Sequence, residues 1–244
     1  MHAPNQFDLL KQRRFAPFFW TQFLAAANDN ILKNAFVVFV TYGALTRSGV
    51  DAGTVVNLIG AIFIAPFVIF SATSGQLADK YEKSKLIRLI KLLEIAIMLI
   101  GLAGFWLANL WLLFLSLALL GVHSTLFGPI KYAILPQHLR TEELVGGNGL
   151  VEMGTFVAIL LGTIAGGGLV LLARGPLLVA GTGLAVGSIG LATAYFIPPA
   201  PPGSSAHSIQ FNHVIVDEHA LIYAVDRVNG GLYILKYTGK QPLD

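Results

Sequence analysis

Residues 15–45 read FAPFFWTQFLAAANDNILKNAFVVFVTYGAL, and this stretch decides the class of the whole chain. A membrane hydrocarbon core of about 30 Å is crossed by roughly 20 helical residues, so the run is long enough to span it. Its polar centre, residues 28–33 (NDNILK), then lies well inside the bilayer, where ionisable side chains normally face a protein interior or a watery path. Asp29 and Lys33 are four residues apart and share one helical face. They either neutralise each other as a packing pair or line such a path, and we favour the path.

The composition indicates an integral membrane protein. Hydrophobic residues make up 55% of the 244 residues and charged residues 12%, whereas soluble domains carry roughly 25% charged residues. Cysteine is absent and the six histidines lack metal-ligand spacing, so we expect no disulfide, metal or other cofactor. The net charge of +3 comes mainly from basic residues beside apolar runs. Membrane topology explains that placement, and we expect no nucleic-acid partner.

The chain contains six apolar runs that we predict to be membrane spans. Lys and Arg concentrate in the N-terminal lead, after the second run and at Arg140, while the alternate loops hold only Arg47 and Arg174. Under the positive-inside rule, both ends of the bundle are therefore expected in the cytoplasm. The dipeptide Gly128-Pro129 is expected to break the fourth run. The six runs cover about residues 15–45, 52–75, 86–107, 110–135, 145–172 and 176–197.

The sequence changes character after residue 197. We predict a cytoplasmic lead over residues 1–14, a six-helix bundle over 15–197, a proline-rich linker over 198–206 and a short β-rich tail over 207–244. Alternating apolar residues predict three strands in the tail, and strands this few and short need a pairing partner. The predicted strands are residues 213–217, 221–226 and 232–237, with a turn at 229–231.

Four local patterns resemble the major facilitator superfamily, and within it bacterial lysophospholipid transporters and the transporter half of transporter–acyltransferase fusions. The second pattern is shared across the superfamily, and the others are more specific. Together they fall within about residues 10–197, which the resemblance identifies as an N-terminal six-helix half bundle. They are residues 22–30 (QFLAAANDN), 75–80 (GQLADK), 127–135 (FGPIKYAIL), and 147–152 (GNGLVE) with 159–162 (ILLG).

The resemblance implies a pathway for a single-chain phospholipid across the bacterial inner membrane. It implies that Gly75, Asp79 and Lys80 belong to a cytoplasmic gating loop, although the signature usually has glycine where this chain has Glu82. It also places polar groups near the cytoplasmic ends of the fourth and fifth spans. The substrate-path candidates are Asn28, Asp29, Lys33, Lys131, Asn148 and Glu152.

The residues themselves leave several roles open. Lys131 suits a phosphate but can also snorkel to the interface. Glu152 can pair with Lys131 or with Lys33. We expect Lys91 and Glu94, three residues apart, to form a local pair, and the histidine of the fourth span, at position 123, to be a hydrogen-bonded packing residue and not a proton relay.

Members of this superfamily have about twelve spans in two repeat-related halves. The chain is therefore expected to need self-association or a missing C-terminal half, and its tail resembles a fragment of an LVIVD-repeat β-propeller. A gene truncation or fusion would produce such a join. The predicted function is lipid transport, the alternative being an inactive half-transporter remnant or a membrane anchor. An enzyme is not expected, since no histidine has an aspartate four residues on and no nucleophile elbow occurs.

Overall fold

The computed structural model of the protein describes residues 6–44, 51–201, 211–216, 221–226 and 232–236. The chain divides into two compact units, Met1–Pro202 and Gly203–Asp244. Most of the predicted linker, the predicted turn at residues 229–231 and Asp217 lie outside the described residues.

Within the described residues, six long helices make up the first unit and coincide with the six predicted spans. A four-residue helix, α5 (Leu135–His138), follows the fourth of them. A 3-10 helix at Gln6–Lys11 precedes the first, another at Thr141–Glu143 precedes the fifth, and a π-helical turn at Val40–Ala44 extends the first. The long helices are α1 (Ala16–Phe39), α2 (Ala52–Lys80), α3 (Lys83–Trp106), α4 (Leu110–Ala133), α6 (Leu144–Val170) and α7 (Gly175–Tyr195).

In the described part of the chain, five of these helices are long and apolar enough to cross a membrane. The remaining one, α3, is 24 residues long, as are α1 and α4, and it carries Lys91 and Glu94 in its middle. It packs against α4 and α7. The predicted all-α membrane bundle is therefore confirmed, with α3 as the helix that carries charge into the interior.

Local sequence explains where several helices begin. The side chain of Asp51 accepts a hydrogen bond from the Thr54 amide at the start of α2, and Asn109 does the same for the first amides of α4. Both are preferred N-cap residues because their oxygens satisfy amides that have no partner within the helix. Ala108 has a φ of 48°, and this backbone conformation lies in the tight turn between α3 and α4.

The predicted break at Gly128-Pro129 is wrong, because α4 continues through both residues to Ala133. Pro66 likewise lies inside α2. A proline removes one helical hydrogen bond, but in a bilayer the surrounding backbone has no water to bond instead. The amide of Ile134 still bonds the Ile130 carbonyl, so the remaining bonds keep the last turn helical.

Helix α1 is the centre of the bundle and packs closely against α6 and α7. A Cβ added at Gly162 or Gly166 of α6 would overlap the backbone carbonyl of Ala27 or Ile31 on α1. The Gly162-x-x-x-Gly166 spacing thus lets two helix backbones approach each other. This contact fixes the position of α1.

The buried apolar side chains form two clusters, one on each side of a polar layer. Phe15, Phe18 and Phe19 at the start of α1 belong to one cluster, while residues from Ile31 to Val40 belong to the other. Between them, Asn28 and the following acid are buried. The polar layer therefore lies in the middle of the first span, as the sequence predicts.

The second unit contains three strands, β1 (Phe211–Val216), β2 (Leu221–Asp226) and β3 (Leu232–Lys236). They form an antiparallel sheet in the order β1-β2-β3, with Ile215 opposite Tyr223 and Tyr223 opposite Ile234. The strands predicted from the sequence thus pair with one another. The propeller likeness stays a resemblance.

Candidate functional site

A cavity of about 210 Å³ lies among helices α1, α2, α4 and α6. It is lined by one acid, Asp29, and by two bases, Lys131 and His123, and its other lining residues are uncharged. The alanines of α1 and Gly128 of α4 leave its space open. The lining residues are Gln22, Ala25, Ala26, Asp29, Phe67, His123, Ser124, Phe127, Gly128, Lys131 and Thr155.

Behind Asp29, α3 contributes a buried ion pair. Lys91 and Glu94 are fully buried, and the lysine ammonium contacts the carboxylate directly. The other oxygen of Glu94 accepts a hydrogen bond of 2.6 Å from the side-chain amide of Asn28 on α1. The predicted local pair of Lys91 and Glu94 is confirmed. It also ties α3 to α1.

His123 on α4 stands between the two acids. Its Nε2 lies 3.2 Å from Oε2 of Glu94, and its Nδ1 lies 3.7 Å from Oδ1 of Asp29. The hydroxyl of Ser124 donates to the other oxygen of Asp29. His123 is fully buried, and within the described structure neither ring nitrogen has a partner with hydrogen-bond geometry. His123 is thus packed inside the bundle, as predicted, but the hydrogen bonds predicted for it do not form in the described structure.

At the other end of the cavity, Lys131 is held by two neighbours. Its ammonium lies 3.0 Å from Oε1 of Glu152 on α6 and donates to the Thr155 hydroxyl at 2.9 Å. That hydroxyl in turn donates to the side-chain oxygen of Gln22 at 3.0 Å. Tyr132 donates to Glu152 as well. Glu152 therefore pairs with Lys131 and not with Lys33.

The alternative pairing of Asp29 with Lys33 does not occur. Among the described residues, the ion-pair neighbour of Asp29 is His123, and Lys33 instead lies 5.0 Å from the ring centroid of Phe63 on α2. Lys33 is half-buried. The two charges share a helical face, as the spacing predicts, but other helices offer each of them a nearer neighbour.

The remaining site candidates lie apart from the cavity. The side-chain amide of Asn148 donates to the Leu144 carbonyl one turn back in α6, at 2.8 Å. Gly75 is buried within α2, while Asp79 and Lys80 lie at its last turn. Their placement at a helix end fits a loop between α2 and α3, but it brings neither of them to the cavity.

Glu82, the departure from the superfamily signature, has a structural use. Its carboxylate accepts from the amides of Ser84 and Lys85, at 3.0 and 2.8 Å, and so caps the N-terminus of α3. Partial burial raises the pKa of Glu82, but these bonds and the one from the Ser84 hydroxyl outweigh it and hold the pKa below its ordinary value. Its φ of −65° and ψ of 125° suit any residue, so the turn does not need glycine.

The sequence also missed members of this site. Gln22 and Thr155 give no charge signal, and nothing in the sequence alone brings them together. The fully buried state of Lys91 and Glu94 had a usable signal, because two opposite charges in an otherwise apolar helix demand an interior location. Among the described residues, no group of three or more acidic or histidine side chains is placed to hold a metal ion.

Chemically, the cavity suits a ligand that carries opposite charges. A lysine ammonium binds a phosphate as a point charge, and a buried carboxylate accepts from an ammonium. Phe67 and Phe127 add apolar surface beside these charges. The arrangement has the features of a small-molecule site, which is mostly apolar with a few placed polar groups.

Comparison with known proteins gives consistent matches. The sequence profile described as Major Facilitator Superfamily matches residues 18–233. A lysophospholipid transporter of Enterobacter sp. (strain 638) is 31% identical over 191 residues, which are 75% of this chain and 44% of the relative. A lysophospholipid transporter from Escherichia coli O1:K1 is 32% identical over 191 residues, which are again 75% of this chain and 44% of the relative. One from Serratia proteamaculans (strain 568) is 34% identical over 146 residues, 60% of this chain and 34% of the relative.

The chain thus spans less than half the length of these curated relatives. The profile, by contrast, covers most of this chain, including all six long helices apart from the first residues of α1. The predicted resemblance is confirmed at the level of the family. This multi-pass membrane protein belongs to the Major Facilitator Superfamily.

Proposed function

We propose that this chain transports a single-chain phospholipid across the bacterial inner membrane, with both ends of its bundle in the cytoplasm. The observation that carries the proposal is the cavity in which Asp29 and Lys131 stand on the same walls. The names of the relatives support a lysophospholipid as the substrate. The basic residues of the N-terminal lead and of the loop after α2 support the orientation.

In this proposal, Lys131 receives the phosphate and Asp29 faces the rest of the headgroup. Lys131 already has Glu152 beside it, so an arriving phosphate competes with that carboxylate for the ammonium. Such an exchange lets the site hold a phosphate without leaving an unpaired charge when the ligand departs. Lys33, Asn28 and Asn148 stay secondary candidates for the path.

Transporters built from repeats hold their substrate between two halves. The cavity of this chain is lined by one six-helix bundle, so we propose that a second bundle closes it. A second copy of the chain or a separate C-terminal half would supply that bundle.

The test is lysophospholipid movement in liposomes that contain the purified chain at a density that allows self-association. We expect Lys131→Gln to slow transport about tenfold or more, since a hydrogen bond to a charged group is worth about 1.5–3 kcal/mol. The matched control is Lys85→Gln, because Lys85 is exposed at the start of α3 and far in sequence from the cavity residues. Equal rates in the two variants would refute the role of Lys131, and no movement with the unmodified chain would refute self-association as the source of the second bundle.

A further inference from the structure

Lys33 of α1 carries a positive charge to which the described part of the bundle gives no anion. The side chain is half-buried, and among the described residues its ammonium has neither an ion pair nor a hydrogen bond. Its neighbour is the ring of Phe63 on α2, whose centroid lies 5.0 Å away. By contrast, Lys91 and Lys131 each contact a carboxylate. The position of Lys33 therefore needs a separate explanation.

The nearest acid in the sequence does not pair with Lys33. Asp29 lies one turn earlier on the same helical face, but its carboxylate accepts from Ser124 and lies 3.7 Å from His123, both on α4. The face of an aromatic ring attracts an ammonium, yet the ring carries no net charge to neutralise it. An ionisable group at membrane depth normally pairs with an opposite charge or faces a watery path. Lys33 is thus placed to receive an anion from outside the chain.

Lys33 lies on the side of α1 that lines the cavity. Gln22 and Asp29 of α1 both line it, and steps of seven and then four residues lead from Gln22 through Asp29 to Lys33 on one helical face. On α2, the ring of Phe63 packs beside that of Phe67, with the centroids 5.9 Å apart, and Phe67 lines the cavity. Lys33 therefore continues the cavity-lining row of α1 beyond Asp29.

Lys33 and Lys131 belong to different levels of the bundle. The ammonium of Lys131 donates to the Thr155 hydroxyl, which in turn donates to Gln22, so Lys131 is held at the level of that glutamine. Lys33 follows Gln22 by eleven residues, roughly 16 Å along an α-helix. Asp29 lies between the two levels. The path thus presents one cation, then an acid and then a second cation.

Snorkelling is the alternative use of a lysine in a membrane helix, and the geometry does not favour it. A snorkelling lysine extends its ammonium past the end of the apolar span into interfacial water. Lys33 lies six residues before the last residue of α1, roughly 9 Å along the axis, and the π-helical turn at Val40–Ala44 extends the helix further. Its ammonium contacts Phe63, which lies well inside α2. The charge therefore stays beside α2 and away from the helix end.

We propose that Lys33 is a second phosphate-binding residue on the lipid path, which the phosphate of a lysophospholipid reaches after it leaves Lys131. This role rests on the proposed function for its ligand. At Lys131 an arriving phosphate competes with Glu152, whereas at Lys33 no carboxylate of the described chain has to be displaced. Asp29, between the two levels, faces the rest of the headgroup in both positions. The phosphate therefore passes from one lysine to the other without losing a cationic partner.

The first experiment measures reductive methylation of each lysine, read by peptide mass spectrometry, in the full chain purified in dodecyl maltoside, a detergent without phosphate. Lysophosphatidylethanolamine and lysophosphatidylglycerol, which both carry a phosphate, should slow the modification of Lys33 about tenfold at ten times their Kd, by mass action. A monoacylglycerol with the same acyl chain should not slow it. The exposed Lys85 should react equally with all three lipids. Equal protection of Lys33 by the monoacylglycerol, or no protection by either phospholipid, would overturn the proposal.

The second experiment compares binding of the same lipids by variants of the chain. Lys33→Gln should weaken lysophosphatidylethanolamine binding about tenfold or more, because a hydrogen bond between two charged groups is lost, and should leave monoacylglycerol binding unchanged. Lys33→Arg keeps a cation and should retain most of the affinity, and Lys85→Gln is the matched control. Since the ammonium of Lys33 has no anionic partner in the described structure, Lys33→Gln should fold as stably as the unmodified chain. Equal affinities of Lys33→Gln and the unmodified chain would overturn the proposal.

These measurements separate the second phosphate site from the proposed function. If Lys131→Gln weakens phospholipid binding and slows transport while Lys33→Gln does neither, the site at Lys33 fails and the proposed function stands. If both phospholipids protect Lys33 but neither moves across liposomes that contain the chain, the proposed transport fails and the site at Lys33 stands. Slower transport in both variants, with protection of Lys33, supports the two together.

Discussion

Two of the interfaces that hold helix α1 in the bundle have opposite character. Toward α3 and α4 it presents Asn28 and Asp29, whose neighbours are Glu94 and His123. Toward α6, the backbone carbonyls of α1 pack directly against Gly162 and Gly166, which have no side chain to keep the two helix backbones apart. Polar and charged contacts therefore position α1 against α3 and α4, while close backbone packing positions it against α6.

The difference between the interfaces lies in how each responds to change. Close backbone packing has one arrangement, because interiors are as dense as organic crystals and leave no room for a second. A buried polar cluster has as many arrangements as it has protonation and pairing states. We infer that the interface with α6 anchors α1, while the interface with α3 and α4 is the one that can respond to a ligand.

The largest effect is expected from breaking the charged interface. Glu94→Ala leaves the ammonium of Lys91 fully buried without its acid. Removing one partner of a buried pair typically costs about 3–5 kcal/mol, because the other charge stays uncompensated. Unfolding of the purified protein by a denaturing detergent, followed by circular dichroism, measures this loss.

Two variants separate the lost pair from a general loss of structure. Glu142→Ala removes an exposed carboxylate and should change the free energy of unfolding by less than about 0.5 kcal/mol. Lys91→Met combined with Glu94→Gln removes both charges and keeps an oxygen for Asn28 to bond. This double variant should recover most of the stability lost in Glu94→Ala. A double variant as unstable as Glu94→Ala would show that the charge of Lys91 is not the cause.

The six-helix bundle could be predicted from the sequence, but the side-chain contacts of the site could not. Span lengths and the alternating loop charges indicate six helices, because hydrophobic length and basic flanks are local properties. The position of Asp29 near the middle of α1 also follows from the length of the first span. The partner of Asp29 cannot be found in this way, since its nearest base in sequence is Lys33 while its neighbour in space, His123, comes from α4.

The errors have a common cause. The expected break of α4 at Pro129 treats the helix as isolated, and the hydrogen bonds expected of His123 take no account of the helices that surround it. Both overlook what neighbouring helices supply. The spacing of Lys91 and Glu94 predicts a pair, and the packing of α3 against α4 and α7 shows which helices surround that pair inside the bundle.

The glycine interface is expected to give a smaller effect. Gly166→Ala puts a methyl group against the carbonyl of Ile31, so the α1 and α6 backbones must separate. Such overpacking costs about 1–3 kcal/mol. The matched control is Gly149→Ala on the same helix, where nothing lies within 4 Å of the added Cβ. It should be neutral or stabilising by up to about 1 kcal/mol, because alanine favours helix over glycine. Equal destabilisation by the two changes would mean that α6 is sensitive to helix propensity and not to contact with α1.

The smallest effect comes from a carboxylate on the same helix as Glu94 but outside the interior. Glu82 caps α3 through the amides of Ser84 and Lys85, and Glu82→Ala should cost about 1 kcal/mol, as for other N-cap changes. Because the folded state holds the pKa of Glu82 below the ordinary value of 4.5, this contribution is present above about pH 4.5 and is lost as the pH falls below it. The free energies of unfolding of the unmodified chain and of Glu82→Ala should therefore differ less at pH 3.5 than at pH 7.

If that difference is the same at both pH values, Glu82 does not cap α3 through its ionised carboxylate. A carboxylate at the helix end would then contribute by packing alone, and the contrast with Glu94, which depends on charge, would be sharper still.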